Sequence, residues 1–313
     1  MNAQLATRIL PYDDDAIAEA AAVIASGGSV AVPTETVYCL AADATDAAAV
    51  AGIYAAKGRP SFNPLIVHVP SLDAAARIAR FDAEVRGLAD AFWPGPLTLV
   101  LPLRQDAGIA ALVTAGLDTV AIRVPRHRAM QALIRATGKP LAAPSANASG
   151  SISPTRAAHV AASLNGRIPL IVDDGATSGG IESTTVATGD PPRLLRPVPI
   201  TVEEIARVLG RDLGGAGGTI EAPGQLASHY VPRKPLRLNA TQPQGDEWLI
   251  GFGAVAGDDT LSASGDLVEA AARLFDALHR ADASDRRGIA VAPVPDDGIG
   301  VAINDRLRRA AHR

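Results

Sequence analysis

The chain has 313 residues and a single cysteine, Cys39, so it is long enough for two domains and cannot form an internal disulfide. Hydrophobic residues make up 48% of the chain and charged residues 20%, while a net charge of -4 and 4% aromatic residues argue against an extended nucleic-acid-binding surface. No apolar run reaches the roughly 20 residues of a membrane helix, the N-terminus lacks a secretory signal pattern, and the single cysteine fits a cytoplasmic protein.

Short apolar runs alternate with amphipathic stretches over the first 210 residues, which predicts an α/β sheet, mixed and twisted, with flanking helices. The predicted helices span residues 13–26, 46–57, 72–80, 83–92, 127–137, 155–164 and 201–209. The predicted strands span residues 29–32, 65–69, 97–103, 119–124, 170–173, 182–187 and 193–196.

The composition changes after residue 210, and we divide the chain into a catalytic domain (1–210), a linker (211–235) and a small C-terminal α/β domain (236–313). The linker is rich in glycine and proline and contains His229-Tyr230-Val231-Pro232. In the C-terminal domain the pattern predicts strands at 247–252 and 288–292 and helices at 267–281 and 306–313.

Polar residues follow the first predicted strand and the second predicted helix. The segment PTETVY begins at Pro33, directly after an apolar run, and Lys57 and Arg59 are followed by Asn63-Pro64. Ligands of open α/β sheets bind beyond the strand ends, where such groups converge. Lys57 and Arg59 are therefore either a phosphate clamp or two cations at the solvated C-terminus of a helix.

Two further residues place a charged or titratable side chain within an apolar predicted strand. Arg123 stands among apolar neighbours in AIRVP, so it either pairs with an internal carboxylate or binds an anionic ligand. His68 lies within the strand 65–69, either as a hydrogen-bonded core residue or as part of a site. No spacing of His, Cys or carboxylates suggests a metal cage, and Cys39 has no partner pattern of a nucleophile.

Small polar residues form two more candidate loops. Pro144–Gly150 (PSANASG) lets backbone N–H groups approach an anion, or it is an ordinary turn after a strand. Glu182-Ser183-Thr184 is either a polar strand end at a site or part of an ordinary strand without a functional role. Arg196-Pro197 ends the next predicted strand.

The order of these motifs resembles a known family. PTETVY, KGRP with NPLIVH, WPGPLT, RVPRH, PSANASG, DG, EST and RP occur in the order typical of YrdC-like threonylcarbamoyl-AMP synthases, over about residues 8–210. The H-Y-x-P element and the small C-terminal domain resemble the two-domain branch of that family. The resemblance implies a YrdC-like twisted sheet followed by a small Rossmann-like α/β domain.

The resemblance also implies an activity, L-threonylcarbamoyladenylate synthase, a nucleotidyltransferase. Such enzymes convert L-threonine, bicarbonate and ATP, with Mg²⁺ carried on the ATP, into threonylcarbamoyl-AMP and pyrophosphate. Other proteins then transfer the threonylcarbamoyl group to tRNA. The alternative that we keep is an RNA-binding module without adenylate synthesis. A carbamoyl-transfer enzyme of hydrogenase maturation would need zinc-finger-like regions, which one cysteine cannot build.

The family's functional positions map onto this chain residue by residue. Lys57 and Arg59 match the basic catalytic motif. The positions expected near ATP are Arg59, Asn63, Thr119, Ser145, Ser153, Arg196 and Tyr230. The positions expected around L-threonine are Thr36, His68, Arg123, the backbone at Ala143, and Ser183. Tyr230 is also expected to fold over the nucleotide as part of a lid.

Four positions depart from the family pattern by replacing a usual glycine. They are Cys39, Ala41, Ala176 and Val198. Each side chain adds bulk near the expected site, so we expect the backbone to approach a ligand less closely there. None of the four replaces a charged or hydroxyl residue with an expected role.

Overall fold

The computed structural model describes residues 6–197, 200–215, 221–222 and 229–312. Within these residues the chain forms one ten-stranded sheet and one four-stranded sheet. The strands of the large sheet are β1 (Arg8–Pro11), β2 (Val30–Pro33), β3 (Tyr38–Asp43), β4 (Ile66–His68), β5 (Leu97–Pro102), β6 (Thr119–Arg123), β7 (Leu141–Ala142), β8 (Leu170–Asp173), β9 (Thr184–Ala187) and β10 (Arg193–Arg196).

The large sheet is mixed, as predicted, with strand order β1-β8-β2-β3-β7-β4-β6-β5-β9-β10. The pairs β1–β8, β2–β8, β4–β6 and β5–β9 are parallel, and the remaining pairs are antiparallel. The sequence pattern did not predict β1, β3 or β7 as strands. Strand β3 begins at Tyr38, the last residue of PTETVY, so in the sequence its buried run merges with that polar motif. The motif forms a hairpin turn, in which the Thr34 amide donates to the Val37 carbonyl.

Helices cover the large sheet. They are α1 (Asp14–Ala25), α2 (Ala47–Lys57), α3 (Leu72–Ile78), α4 (Ala83–Phe92), the unpredicted α5 (Ala111–Thr114), α6 (Arg128–Thr137), α7 (Ala157–Leu164) and α8 (Val202–Leu209). All of them except α5 and α7 begin at a side chain that caps them. Asp46 accepts hydrogen bonds from two amides at the start of α2, and Gly58 ends that helix in the left-handed conformation. The left-handed turn sends Lys57 and Arg59 in different directions.

The C-terminal part is a small α/β unit with an all-parallel sheet of order β11-β14-β12-β13. Its elements are β11 (Leu236–Arg237), β12 (Glu247–Gly251), β13 (Asp259–Thr260), α9 (Leu267–Ala283), β14 (Gly288–Val291) and α10 (Ile299–Ala311). The expectation of a short last helix at 306–313 is wrong, since α10 begins at Ile299. The residues before 306 are typical of a loop, because they include Gly298, Gly300 and Asn304-Asp305. The first turns of α10 are nevertheless helical, since Ile303 and Leu307 are buried on one face of the helix.

The C-terminal unit packs directly on the large sheet. One hydrophobic cluster contains Ile181 from the first part together with Ala271 and Phe275 of α9. Gly180 lies so close to α9 that a Cβ there would be 2.3 Å from the carbonyl oxygen of Ala272, so only glycine fits. Among the described helices, none is long and apolar enough to span a bilayer.

Candidate active site

One cavity collects polar side chains from the separate motifs. It encloses about 480 Å³ of space, its open mouth included. Its walls are formed by Thr36, Val37, Cys39, Arg59, Ile66, His68, Arg123, Ala143, Pro144, Ser145, Glu182, Ser183, Arg196 and His229. Eight of the residues predicted for ATP or threonine are therefore brought together around one space.

Strand register explains why distant residues meet here. His68 ends β4 and Arg123 ends β6, and these two parallel strands pair with His68 opposite Arg123. Thr36 lies in the hairpin turn between β2 and β3. The strand that was predicted at 182–187 begins only at Thr184, which leaves Ser183 in the loop before β9, facing the cavity.

Arg123 pairs with an internal carboxylate, the first of the two alternatives left open by the sequence, and it also lines the cavity, where its ligand role stays a prediction. Its Nη2 donates to Glu35 Oε1 at 2.7 Å, Nη1 donates to Thr36 Oγ1 at 2.9 Å, and Nε donates to the Gly95 carbonyl at 3.1 Å. Although burial raises the pKa of Glu35, the Arg123 charge holds it below its usual value. The carboxylate thus fixes the guanidinium at the cavity wall.

Arg59 and Arg196 bring two more guanidinium groups to the cavity. Arg59 donates from Nε to the Asn63 carbonyl at 3.1 Å and from Nη2 to the Pro64 carbonyl at 2.8 Å. Burial, with a contribution from the charge of Arg196, lowers the pKa of Arg59 to about 10. Because the two cations repel each other, an anion between them would be stabilised.

Arg196 also organises the opposite wall. Its Nε donates to the Ser183 carbonyl at 2.9 Å and its Nη2 to Ser183 Oγ at 3.0 Å. Ser183 Oγ shares a further hydrogen bond with Thr98 Oγ1 at 2.7 Å. The Ser183 hydroxyl is therefore held in one orientation beside the guanidinium.

Lys57 does not line the cavity but supports one of its loops. The ammonium is buried and donates to the carbonyls of Ser145, at 2.5 Å, and Asn147. Burial and the charge of Arg59 lower the pKa of Lys57 well below its usual value. A solvated helix end is therefore the wrong description of Lys57, which instead shapes the PSANASG loop.

His68 is a buried histidine that lines the cavity. Among the described residues, neither ring nitrogen has a hydrogen-bond partner, although the side chain is only 1% exposed. Burial, with the charge of Arg123 beside it, lowers the pKa of His68 to about 3, so the ring is neutral at pH 7. His68 therefore faces the cavity as a neutral ring, and its role in binding threonine stays a prediction.

Four residues that were predicted near ATP are not among the cavity-lining residues. Asn63 is buried behind Arg59, and Ser153 Oγ donates to Glu182 Oε1 at 2.6 Å. Thr119 begins β6, at the end of the strand opposite Arg123. Tyr230 is fully buried, and its ring lies 5.1 Å from that of Phe275. Their roles in nucleotide binding stay predictions.

Six lining residues had no ligand role assigned from the sequence, and Glu182 and His229 are the two of them that carry an acid or a base. Glu182 is the one carboxylate among the described lining residues, and the EST motif had marked its loop as polar. His229 borders the cavity, and burial lowers its pKa to about 3. The H-Y-x-P motif pointed to this segment, but the expectation fell on the neighbouring Tyr230.

The departures from the family pattern differ in where they lie. Cys39 borders the cavity, and burial raises the pKa of its thiol to about 11, so the thiol is not an activated nucleophile. Ala41 is buried outside the lining residues, and Ala176 is exposed. Val198 lies outside the described residues. Of the three described positions, Cys39 is the one that adds bulk to the cavity.

Comparisons with known proteins agree with this arrangement. The Sua5–YciO–YrdC family model, described as telomere recombination, matches residues 22–198, and a model described as threonylcarbamoyl-AMP synthase, C-terminal domain, matches residues 200–312. The chain is 42% identical to a threonylcarbamoyl-AMP synthase of Bacillus subtilis, over 96% of this chain and 94% of that protein. The corresponding values for the Pyrococcus abyssi protein of the same name are 40%, 93% and 93%.

A solved structure is similar to the whole chain. The crystal structure of Pyrococcus abyssi Sua5 complexed with L-threonine superposes with a TM-score of 0.89 at 37% identity, and the match covers 97% of each chain. The similarity therefore extends over both sheets and the segment between them.

Proposed function

The chain belongs to the Sua5–YciO–YrdC family, with the C-terminal domain of threonylcarbamoyl-AMP synthases, and we propose from this premise that it makes threonylcarbamoyl-AMP. The substrates are L-threonine, bicarbonate and ATP, and the second product is pyrophosphate. The reaction is a nucleotidyl transfer, because the AMP part of ATP moves to a carbamate oxygen.

The observation that carries this proposal is the charge of the cavity. Arg59, Arg123 and Arg196 face the same space, whereas Glu182 is the one described carboxylate that lines it. Glu35 matches the charge of Arg123 from behind the wall, so the excess positive charge comes from Arg59 and Arg196. It suits substrates that are all anionic, namely a triphosphate, a carbamate and an amino-acid carboxylate. The neutral, unpartnered His68 adds a group that can hydrogen-bond the polar part of threonine.

The proposed mechanism needs no covalent enzyme intermediate. The threonine amine attacks the bicarbonate carbon, and a carbamate forms with loss of one water. One carbamate oxygen then attacks the α-phosphorus of ATP while pyrophosphate leaves. Arg59 and Arg196, with the Ser145 loop, stabilise the charge that spreads over the phosphates. Thr36, His68, Arg123, Ser183 and the backbone at Ala143 orient the threonine part. Catalysis then rests on positioning and electrostatic stabilisation.

We also propose that magnesium arrives as part of the substrate, bound to the triphosphate of ATP. The lining residues offer arginines, hydroxyls and one carboxylate, and that carboxylate of Glu182 accepts hydrogen bonds from Ser153 and Arg306. This donor set suits Mg–ATP better than an ion held by protein ligands alone, since Mg²⁺ retains waters and phosphate ligands.

The fate of the product is a further part of the proposal. Threonylcarbamoyl-AMP is a mixed anhydride, so partner proteins are required to transfer its threonylcarbamoyl group to tRNA. We propose that this happens in the cytoplasm, which agrees with a chain whose single cysteine is a buried free thiol. The alternative of an RNA-binding module without synthesis is not favoured, because the relatives over most of the chain are named as synthases.

The direct test measures pyrophosphate release from ATP and bicarbonate, with and without L-threonine. We expect release that depends on threonine. Folded protein that binds ATP or RNA without threonine-dependent release would contradict the proposal and favour the RNA-binding alternative. Salt-sensitive RNA binding would then be the property to measure next.

A further inference from the structure

Arg306 is a fully buried arginine on α10, in the C-terminal unit of the chain. Its side chain has no exposed surface. A guanidinium group loses its hydration when it is buried, which is costly unless protein groups replace the water. Helix α10 is far from the cavity motifs in sequence. The contacts of Arg306 therefore show what the C-terminal unit contributes to the site.

One partner of Arg306 lines the cavity, and a second directly follows a residue that lines it. Its Nε lies 3.4 Å from Glu182 Oε2, and its Nη1 donates to the Pro197 carbonyl at 2.8 Å and to Asp305 Oδ2 at 2.9 Å. Glu182 directly precedes Ser183, and Pro197 directly follows Arg196. One guanidinium therefore contacts the immediate neighbours of two residues that face the cavity.

The charge of Glu182 makes this contact important. Its other carboxylate oxygen accepts from Ser153 Oγ at 2.6 Å, and the side chain is 6% exposed. Although burial raises the pKa of Glu182, the charges of Arg306 and Arg196 hold it below its usual value, so the group is an anion at pH 7. An anion in this wall repels phosphate oxygens unless a cation offsets it.

We propose, on the basis of the function assigned above, that Arg306 is a positioning residue of the active site. It offsets the charge of Glu182 and fixes the two segments that carry Ser183 and Arg196 into the cavity. The C-terminal unit thus completes the site with a cation that need not touch either substrate. Loss of this cation leaves Arg196 to offset the Glu182 carboxylate, which makes Arg196 less available to ATP, and loosens one wall.

The experiment compares initial rates of pyrophosphate release by the full-length chain and its variants over a range of ATP and threonine concentrations. Arg306→Met keeps the length of the side chain and removes its charge. We expect the KM for ATP to rise about tenfold or more, and the KM for threonine to rise less, because the triphosphate carries more negative charge.

Rescue separates this role from a merely structural one. The double variant Glu182→Gln/Arg306→Met removes both charges, and we expect its KM for ATP to return to within about threefold of the wild-type value. Arg308→Met is the matched control, because Arg308 is an exposed arginine on the same helix; its kinetics should equal those of the wild type. Thermal unfolding of every variant reports whether it is folded.

Two results overturn the proposal: a folded Arg306→Met variant with the wild-type KM for ATP, or a double variant no better than the single one. If Arg306→Met does not fold, Arg306→Lys decides, since it keeps the charge but loses the fork. We then expect the KM for ATP to rise about threefold through the lost fork alone, and an unchanged value contradicts the positioning of the two segments by Arg306. Absence of threonine-dependent release by the wild type would instead overturn the underlying function.

Discussion

The cavity and the seam between α7 and α9 are both rich in arginine, yet they use it differently. In the seam, Arg156 lies 2.9 Å from Asp276, and Arg280 pairs with Asp276 and with Asp259, at 2.5 Å from the latter. These arginines are 51% and 41% exposed. In the cavity, Arg59 forms no ion pair with any described residue and donates to two carbonyls instead.

This difference separates structural cations from cations that are available to a ligand. Charges in the seam are matched by fixed carboxylates and screened by water, so each pair contributes little to stability. Carbonyls and hydroxyls hold the guanidinium of Arg59 in place without cancelling its charge. Arg123 is intermediate, since Glu35 fixes one edge of its guanidinium while the side chain still faces the cavity.

The largest expected effect comes from removing a cavity cation. Arg59→Ala should lower the rate of threonine-dependent pyrophosphate release about a hundredfold or more, because a preorganised charge that stabilises the transition state is lost. The melting temperature should stay close to that of the wild type. Arg80→Ala, at an exposed arginine on the protein surface, is the matched control and should be fully active. Normal release by Arg59→Ala would contradict the cavity as the active site.

Acid should destabilise the protein through histidines in both regions. Burial lowers the pKa values of His68, His159 and His229 to about 3. Below pH 6.5 the unfolded chain binds protons that the folded chain does not, so stability is full above that pH and falls as the pH drops towards 3. Each histidine contributes a slope of up to about 1.4 kcal/mol per pH unit.

Urea unfolding between pH 4.5 and 6.5 measures this slope, since carboxylates titrate mostly below that window. We expect His68→Leu in the cavity and His159→Leu in the seam each to make the curve flatter. A curve that is flat for the wild type would show that these rings are not held neutral in the folded state.

His68→Leu tests the same residue as a ligand group. We expect kcat/KM for threonine to fall about tenfold or more, because the buried ring nitrogens are the groups that would bind substrate. The free energy of unfolding at pH 7 should be unchanged or higher, since an apolar side chain of similar size replaces a buried polar ring. A variant that is fully active but clearly less stable would assign His68 to the core instead.

The smallest expected effect lies in the seam. Arg156→Ala removes an exposed partner of Asp276, and we expect a loss of less than about 1 kcal/mol of stability with unchanged kinetics. A double-mutant cycle with Asp276→Ala measures the pair itself. A coupling energy well above that limit would show that the seam behaves like a buried network, which would weaken the contrast with the cavity.

Local sequence patterns predicted the chemistry of the site better than its geometry. The motif that contains Lys57 and Arg59 indicated two cations, but whether each side chain faces the cavity depends on the left-handed Gly58 between them, with φ 60°. As a result Arg59 lines the cavity while Lys57 supports a loop. Strand β3 was missed because its buried run merged with the preceding turn motif.

Local sequence patterns did not predict which residues from distant parts of the chain contact each other. Arg306 on α10 pairs with Glu182, in the loop before β9, and nothing near either residue in sequence marks the pairing. An internal carboxylate for Arg123 was one of two alternatives, the other being an anionic ligand. A buried guanidinium needs a partner because its burial is costly, but the sequence does not identify Glu35 as that partner. Burial and charge thus predict that a partner exists, whereas the fold decides its identity.

The central claim is that this cavity joins a threonine carbamate to AMP, and identifying the product tests it most directly. The wild-type chain is incubated with Mg–ATP, L-threonine and ¹³C-bicarbonate, and the nucleotide products are analysed by mass spectrometry. We expect an adenylate that carries both the threonine and the bicarbonate carbon, absent without threonine and absent with Arg59→Ala. Formation of ADP or AMP alone, with no labelled adenylate, would contradict the account.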